Sequence, residues 1–257
     1  MTELAERVNE LVGATEEYDQ PRAEALVYEI VRSLWSADAI AVGLAKQALN
    51  ALKKQNYFDL MIVLGDAILQ TGQTDPAVRR LYAQALIGIG ALSAAIAFLE
   101  RLVAESGGNQ REEFEARGLL GRAYKQAYVN NGEMSPLRRK ALLSKALASY
   151  YDVYRHSAGE LWHGINTVAL LARARRDGVA ISDYPEPTAL ARDILGNVEQ
   201  FVAETRAMEW DLATAAEACV ALAMLEKGQN PAEHWQAALR WLARYVDSSQ
   251  TGAFELA

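Results

Sequence analysis

Cysteine is almost missing from these 257 residues. Cys219 stands alone, so no disulfide can form within the chain, and a secreted scaffold held by bridges is excluded. Proline is scarce as well, at six. The first residues, Met1-Thr-Glu-Leu-Ala-Glu-Arg, lack a basic start followed by an apolar core, so they are not a secretory signal. Charge of one sign is in short supply: 26 Lys and Arg face 33 Asp and Glu, and a net charge of −7 argues against a general nucleic-acid-coating protein. One uncharged run, residues 81–99, approaches the length of a membrane span. Gly88-Ile89-Gly90 breaks it, and Arg79-Arg80 and Glu100-Arg101 flank it, so we read a buried helical hairpin. No membrane partner is expected, and the chain reads as cytoplasmic.

What is abundant is Ala (46) and Leu (32), which favours helix throughout. Gln20-Pro21, Asp75-Pro76, Ser135-Pro136, Glu186-Pro187 and Asn230-Pro231 each precede a long amphipathic run. Proline is tolerated only in a helix's first turn, and Asp, Ser or Asn before it supplies an N-cap. Gly72, Gly90, Gly178 and Gly228 fall between such runs. The sequence therefore predicts about twelve helices and no strand.

The runs also repeat. Leu120-Gly121-Arg122-Ala123-Tyr124 fits the first helix of a tetratricopeptide unit, and Ala146, Tyr150 and Val153 fit the second. In the preceding unit Gly90 is the turn, followed by Ala95, Leu99 and Leu102. Before that, Tyr57, Leu60, Leu64 and Ala67 hold the equivalent places. Small residues there let paired helices approach, and each hairpin leaves an apolar face that only a neighbour covers. The predicted fold is an all-α, tetratricopeptide-like superhelical solenoid of antiparallel hairpins over residues 37–257. Residues 1–36 form two N-terminal capping helices. A dozen extra residues around 129–140 are expected between the helices of the third unit, and a longer turn within the unit 160–201; the last unit is 209–246. A final hairpin without a cap invites self-association or domain contacts.

Catalytic chemistry finds little support. No Gly-rich loop is followed by Lys-Ser/Thr, and no serine sits in a nucleophile elbow. His156, His163 and His234 have no ligand partners at metal spacing, so neither metal nor cofactor is expected. Cys219 lies among Ala215, Ala216, Ala218 and Val220 and reads as a buried structural thiol. Glu112 and Glu113, adjacent on a helix, diverge onto a solvated face.

Binding is better supported. In tetratricopeptide hairpins the first helices line the concave wall. Counting each unit from its motif puts Arg80 and Gln84, then Arg122 and Lys125, then His163 and Thr167 in the inward slots. Such a row suits an anion, either a phosphate-bearing ligand or an acidic peptide. Against it, Arg122 could pair with a local carboxylate such as Glu115. Asn166 takes a small-residue slot, where bonding to a neighbouring backbone competes with ligand contact. Trp162 and Trp210 read as core aromatics or as a stacking platform. The clusters Arg138-Arg139-Lys140 and Arg173, Arg175, Arg176 carry no nucleic-acid reading motif, and a nucleic-acid partner is not expected.

Gly118-Leu-Leu-Gly-Arg-Ala-Tyr-Lys125 and Trp162-His-Gly-Ile-Asn166, followed by Val168-Ala-Leu-Leu171, resemble the tetratricopeptide-like regulatory (TRAF-binding) region of apoptosis signal-regulating kinases of the MAP kinase kinase kinase type. Glu209-Trp-Asp-Leu-Ala-Thr-Ala-Ala-Glu217 is similar to bacterial versions of that region. The resemblance covers about residues 40–257. It implies a non-enzymatic regulatory or scaffolding module that binds a protein partner and controls an attached or associated effector, such as a fused trypsin-like peptidase. The alternative it implies is a sensor of a small anionic, nucleotide-derived signal in bacterial stress or defence. No kinase or peptidase segment is present, and the ending Gly252-Ala-Phe-Glu-Leu-Ala257 resembles a helix cut from a longer chain.

Overall fold

A computed structural model describes residues 3–36, 40–105, 108–130, 134–226 and 231–248. Among these residues the secondary structure is helical, without a strand. The helices are α1 (Glu3–Glu16), α2 (Gln20–Leu34), α3 (Val42–Lys54), α4 (Phe58–Gln70), α5 (Pro76–Gly88), α6 (Leu92–Glu105), α7 (Gln110–Asn130), α8 (Pro136–His156), α9 (Leu161–Arg176), α10 (Pro187–Ala203), α11 (Glu209–Leu225) and α12 (Pro231–Ser248).

Local chemistry sets their ends. The Asp75 carboxylate accepts from the Ala77 and Val78 amides at 3.0 and 3.1 Å, with Pro76 at the first helical position. Ser135 Oγ accepts from the Arg138 amide at the head of α8, and Asp19 caps α2 through the Arg22 amide. These bonds satisfy amides that a helix start leaves without a carbonyl. Between α5 and α6, Gly90 takes φ +79°, a left-handed conformation that a side chain would strain. The uncharged run 81–99 is thus a helical hairpin. No helix among the described residues is long and apolar enough to cross a membrane.

Contacts divide the chain into two compact units, Met1–Gln126 and Ala127–Ala257. In the first, α1 packs on α2 and α3, α2 on α4, α3 on α4 and α5, and α5 on α4 and α6. In the second, α9 packs on α8, α10 and α11, and α11 on α10 and α12. Contact with the next helix and the next but one is what stacked hairpins make. The first core is built on Leu11, Ile30, Leu49, Met61, Leu64 and Ile68, all fully buried. Tyr154, Leu161, Val168, Ile194, Val198 and Leu222 anchor the second. Each such side chain contributes about 1.5–3 kcal/mol on leaving water.

The stretch 129–140 departs from expectation: residues 129–130 end α7 and residues 136–140 open α8, each helix being 21 residues long, while 131–133 lie outside the described residues. A long connection joins α9 and α10 at residues 177–186, within the unit 160–201 where the sequence places a longer turn. On α12, Trp235, Leu239, Leu242 and Val246 remain 43–66% exposed at spacings of four, three and four, forming an apolar stripe.

Candidate functional site

The eight candidate residues divide between the units. Arg80, Gln84, Arg122 and Lys125 belong to the first, and Trp162, His163, Asn166 and Thr167 to the second.

In the first unit, α3, α5 and α7 bring charge together. Arg80 Nε lies 2.8 Å from Glu112 Oε2, and both side chains are only 16% exposed. Arg80 Nη1 is 3.9 Å from Glu115. Burial, with the Arg80 guanidinium beside it, holds the Lys53 ammonium below the usual lysine range, while Glu115 opposes that shift. Glu112 is therefore the counter-ion of Arg80, not part of a solvated face, and Arg80 has little charge to offer a ligand. We expect Glu112→Ala to cost about 1–3 kcal/mol, because it strands a mostly covered guanidinium. Glu113 pairs with Arg117 on one half-exposed helix face, so Glu113→Ala should cost under about 1 kcal/mol. Paired thermal melts check the difference.

Gln84, one turn beyond Arg80, is half-buried, as are Arg122 and Lys125 on α7. Arg122 and Lys125 share the less buried stripe of α7 with Glu115, while Ala116, Leu120, Ala123, Tyr124 and Ala127 face inward. No carboxylate among the described residues closes on Arg122, Glu115 included.

The second unit requires a correction. His163 and Thr167 do not line an open wall: they are 5% and 0% exposed. Thr167 Oγ1 donates to the His163 carbonyl at 2.9 Å, and His163 Nδ1 lies 3.4 Å from Glu160 Oε2. The reason lies in α9, which is buried on most sides by α8, α10 and α11 and so has a narrow outward stripe. Trp162 stands on that stripe, 46% exposed, with its ring edge-on to Tyr150 at 5.5 Å. Asn166 is half-buried and donates to the Trp162 carbonyl at 2.9 Å. Trp210 is 58% exposed beside Tyr245, so neither tryptophan is enclosed in a core.

The residue permitting close helix approach is Gly164, where an added Cβ would lie 2.7 Å from the Tyr154 ring. Cys219 is buried, and burial together with Glu199 pushes its thiol pKa up, so it stays protonated and inert.

A cleft of about 300 Å³ opens elsewhere in the second unit, lined by Lys140, Ser144, Tyr151, Asp152, Arg155 and residues 181–184 of the α9–α10 connection. Its two cations face two carboxylates, Asp152 and Asp183, so it offers no net charge to an anion. Sequence reasoning missed it because the connection has no pattern that says where it lies.

Stacked antiparallel hairpins with these capped turns make this an all-α, tetratricopeptide-like protein. The family described as Tetratricopeptide Repeats-Sensor matches residues 57–171, a little under half of the chain. That stretch contains all eight candidate residues. A solved structure described as human IFIT1 dimer with PPP-AAAA is 9% identical; the match covers 95% of this chain and 69% of that one, at a TM-score of 0.39. No curated protein matches the chain.

Proposed function

We propose that this chain is a regulatory repeat module without catalytic activity, which binds a partner on its first-helix wall and controls an attached or associated effector. The observation that carries this reading is the fit of residues 57–171, with every candidate residue inside, to a sensor-type repeat family. Arg122 supports it as a half-buried cation without a carboxylate among the described residues. The apolar stripe on α12 supports the effector half, since exposed apolar patches of this kind mark interaction surfaces. Kinase-type regulation, bacterial origin, a cytoplasmic setting and a peptidase effector belong to the same proposal.

A second reading is a sensor whose ligand is a small anionic, nucleotide-derived signal held by Arg122 and Lys125, with Gln84 of α5 as a further ligand. The family's description as a sensor favours it. A thermal-shift screen with nucleotides tests the two. A ligand at a hundred times its Kd adds about 2.7 kcal/mol, a shift of several degrees. Under the sensor reading at least one nucleotide produces it, and Arg122→Ala and Lys125→Ala abolish it. If no nucleotide shifts the wild type, or the variants respond equally, the anionic-ligand reading falls and the protein-partner reading stands.

A further inference from the structure

Two basic clusters far apart in sequence meet in the second unit. α8 opens on Arg138-Arg139-Lys140, and the last turn of α9 carries Arg173, Arg175 and Arg176. The short connection between α8 and α9 makes them antiparallel, so the start of one lies beside the end of the other. Arg175 is taken by Glu186. Arg139, Arg173 and Arg176 converge on one carboxylate, Asp177, which is 11% exposed.

Tyr128 Oη donates to Asp177 Oδ2 at 2.6 Å, as do Arg173 Nε at 2.6 Å and Arg139 Nη2 at 3.3 Å. Arg176 Nε donates to Oδ1 at 3.3 Å. The guanidiniums of Arg139 and Arg173 also stand over the Tyr128 ring, 5.4 and 5.7 Å from its centroid. One negative charge thus faces three positive ones, a local surplus of two in a chain whose net charge is −7. Hydrogen bonds from Tyr128 and then Arg173 hold the Asp177 carboxyl down at about 2, so it stays ionised and keeps the arginines in place.

A clamp joining α7, α8 and α9 would be complete with Arg139 and Arg173. The third guanidinium adds repulsion unless another anion shares the site. Arg139 Nε is buried with no acceptor, and a buried N–H left in that state is rare enough to need a partner. Guanidinium forks match phosphate oxygens in pairs, which a lone ammonium does not. Arg138 and Lys140, both exposed, add attraction at longer range.

We propose that Arg139, Arg173 and Arg176 form a binding site for a compact dianion, inorganic phosphate or a phosphate monoester, with Asp177 as the residue that positions them. The site belongs to the second unit and does not depend on Arg122, which lies in the first.

Calorimetric titration of the full chain with sodium phosphate, against chloride at matched ionic strength, tests this. The wild type is expected to show saturable binding. Affinity should fall at least tenfold in Arg176→Ala, a 67% exposed side chain whose removal spares the core. Arg173→Lys keeps the charge, removes the fork, and should fall similarly. Arg240→Ala, which removes an exposed arginine of α12 outside both candidate sites, should bind phosphate as the wild type does. Phosphoserine and adenosine monophosphate, titrated in parallel, distinguish the sources: tighter binding than phosphate marks a monoester, and equal or weaker binding marks the free ion. Absence of saturable binding in the wild type overturns the site. So does wild-type affinity in both Arg176→Ala and Arg173→Lys, or an affinity that only Arg122→Ala removes.

Discussion

Replacing Gly164 by valine is expected to destabilise the second unit by about 2–4 kcal/mol. In a helix interior the exchange of glycine for a residue with a side chain ordinarily helps, by about 1 kcal/mol for alanine. Here the new Cβ would lie 2.7 and 2.8 Å from the Tyr154 ring and 3.0 Å from Ile194 Cδ1, inside van der Waals contact. Whether the ring can retreat decides the sign. Tyr154 is 5% exposed, its hydroxyl donates to Asp193 at 2.6 Å, and it accepts from Asn197 Nδ2 at 3.2 Å. Both partners sit on α10, so moving the ring breaks two partly buried hydrogen bonds. Ile194, fully buried, has no space to yield either. Valine adds two methyl groups to the clash, so alanine should cost less, about 1–2 kcal/mol. Gly65 is the comparison: its Cβ would meet Tyr82 at 2.6 Å, but that ring is half-exposed and its hydrogen bond to Asp66 lies in solvent, so displacing it costs less. Urea denaturation should rank Gly164→Val, Gly164→Ala and Gly65→Ala in falling order of loss. A Gly164→Ala protein more stable than wild type would falsify the packing argument.

How much of this was legible in the sequence depends on how far apart the interacting residues lie. Asp75-Pro76 and Ser135-Pro136 announced helix starts because capping is settled within four residues. Gly90 announced a turn for the same reason. The pairing of Arg80 with Glu112 spans thirty-two positions, and nothing local separates it from a solvated arginine. His163 and Thr167 were assigned to an open wall by counting slots, which assumes that the first helix keeps one free face. α9 is enclosed by three helices, so His163 and Thr167 are buried, with the Thr167 hydroxyl bonded to the His163 carbonyl, while Trp162 came out. The extra residues near 129–140 looked like a loop because a repeat of fixed length leaves them over. Ser135 and Pro136 instead supply the cap and first turn of α8, so residues 136–140 are helical. The two arginine clusters were visible one by one. Their meeting at Asp177 is a tertiary fact, set by the antiparallel run of α8 and α9.

That meeting carries the second large effect. Asp177→Ala is expected to cost about 2–3 kcal/mol, since three guanidiniums lose their common counter-charge and the Tyr128 hydroxyl loses its acceptor. The charge component has a defined pH window. Asp177 titrates at about 2 in the folded protein, against an ordinary value of 3.8. A depressed folded pKa gives stability that is complete above about pH 4 and disappears as the pH falls through 2. Each unit of depression corresponds to about 1.4 kcal/mol, which sets an upper bound near 2.4 kcal/mol. Solvent reaches the guanidiniums, which are 30–67% exposed, and reduces this to roughly 1–2 kcal/mol. Asp177→Asn separates charge from hydrogen bonding. Its amide oxygen still accepts from Tyr128, so the loss at pH 7 should fall between wild type and alanine. Other carboxylates titrate in the same range, so the informative quantity is the difference between the wild-type and Asp177→Asn stability curves. That difference should shrink towards zero between pH 4 and pH 2. A gap that stays constant across the window would mean that Asp177 acts through shape alone, and that the three arginines do not need its charge.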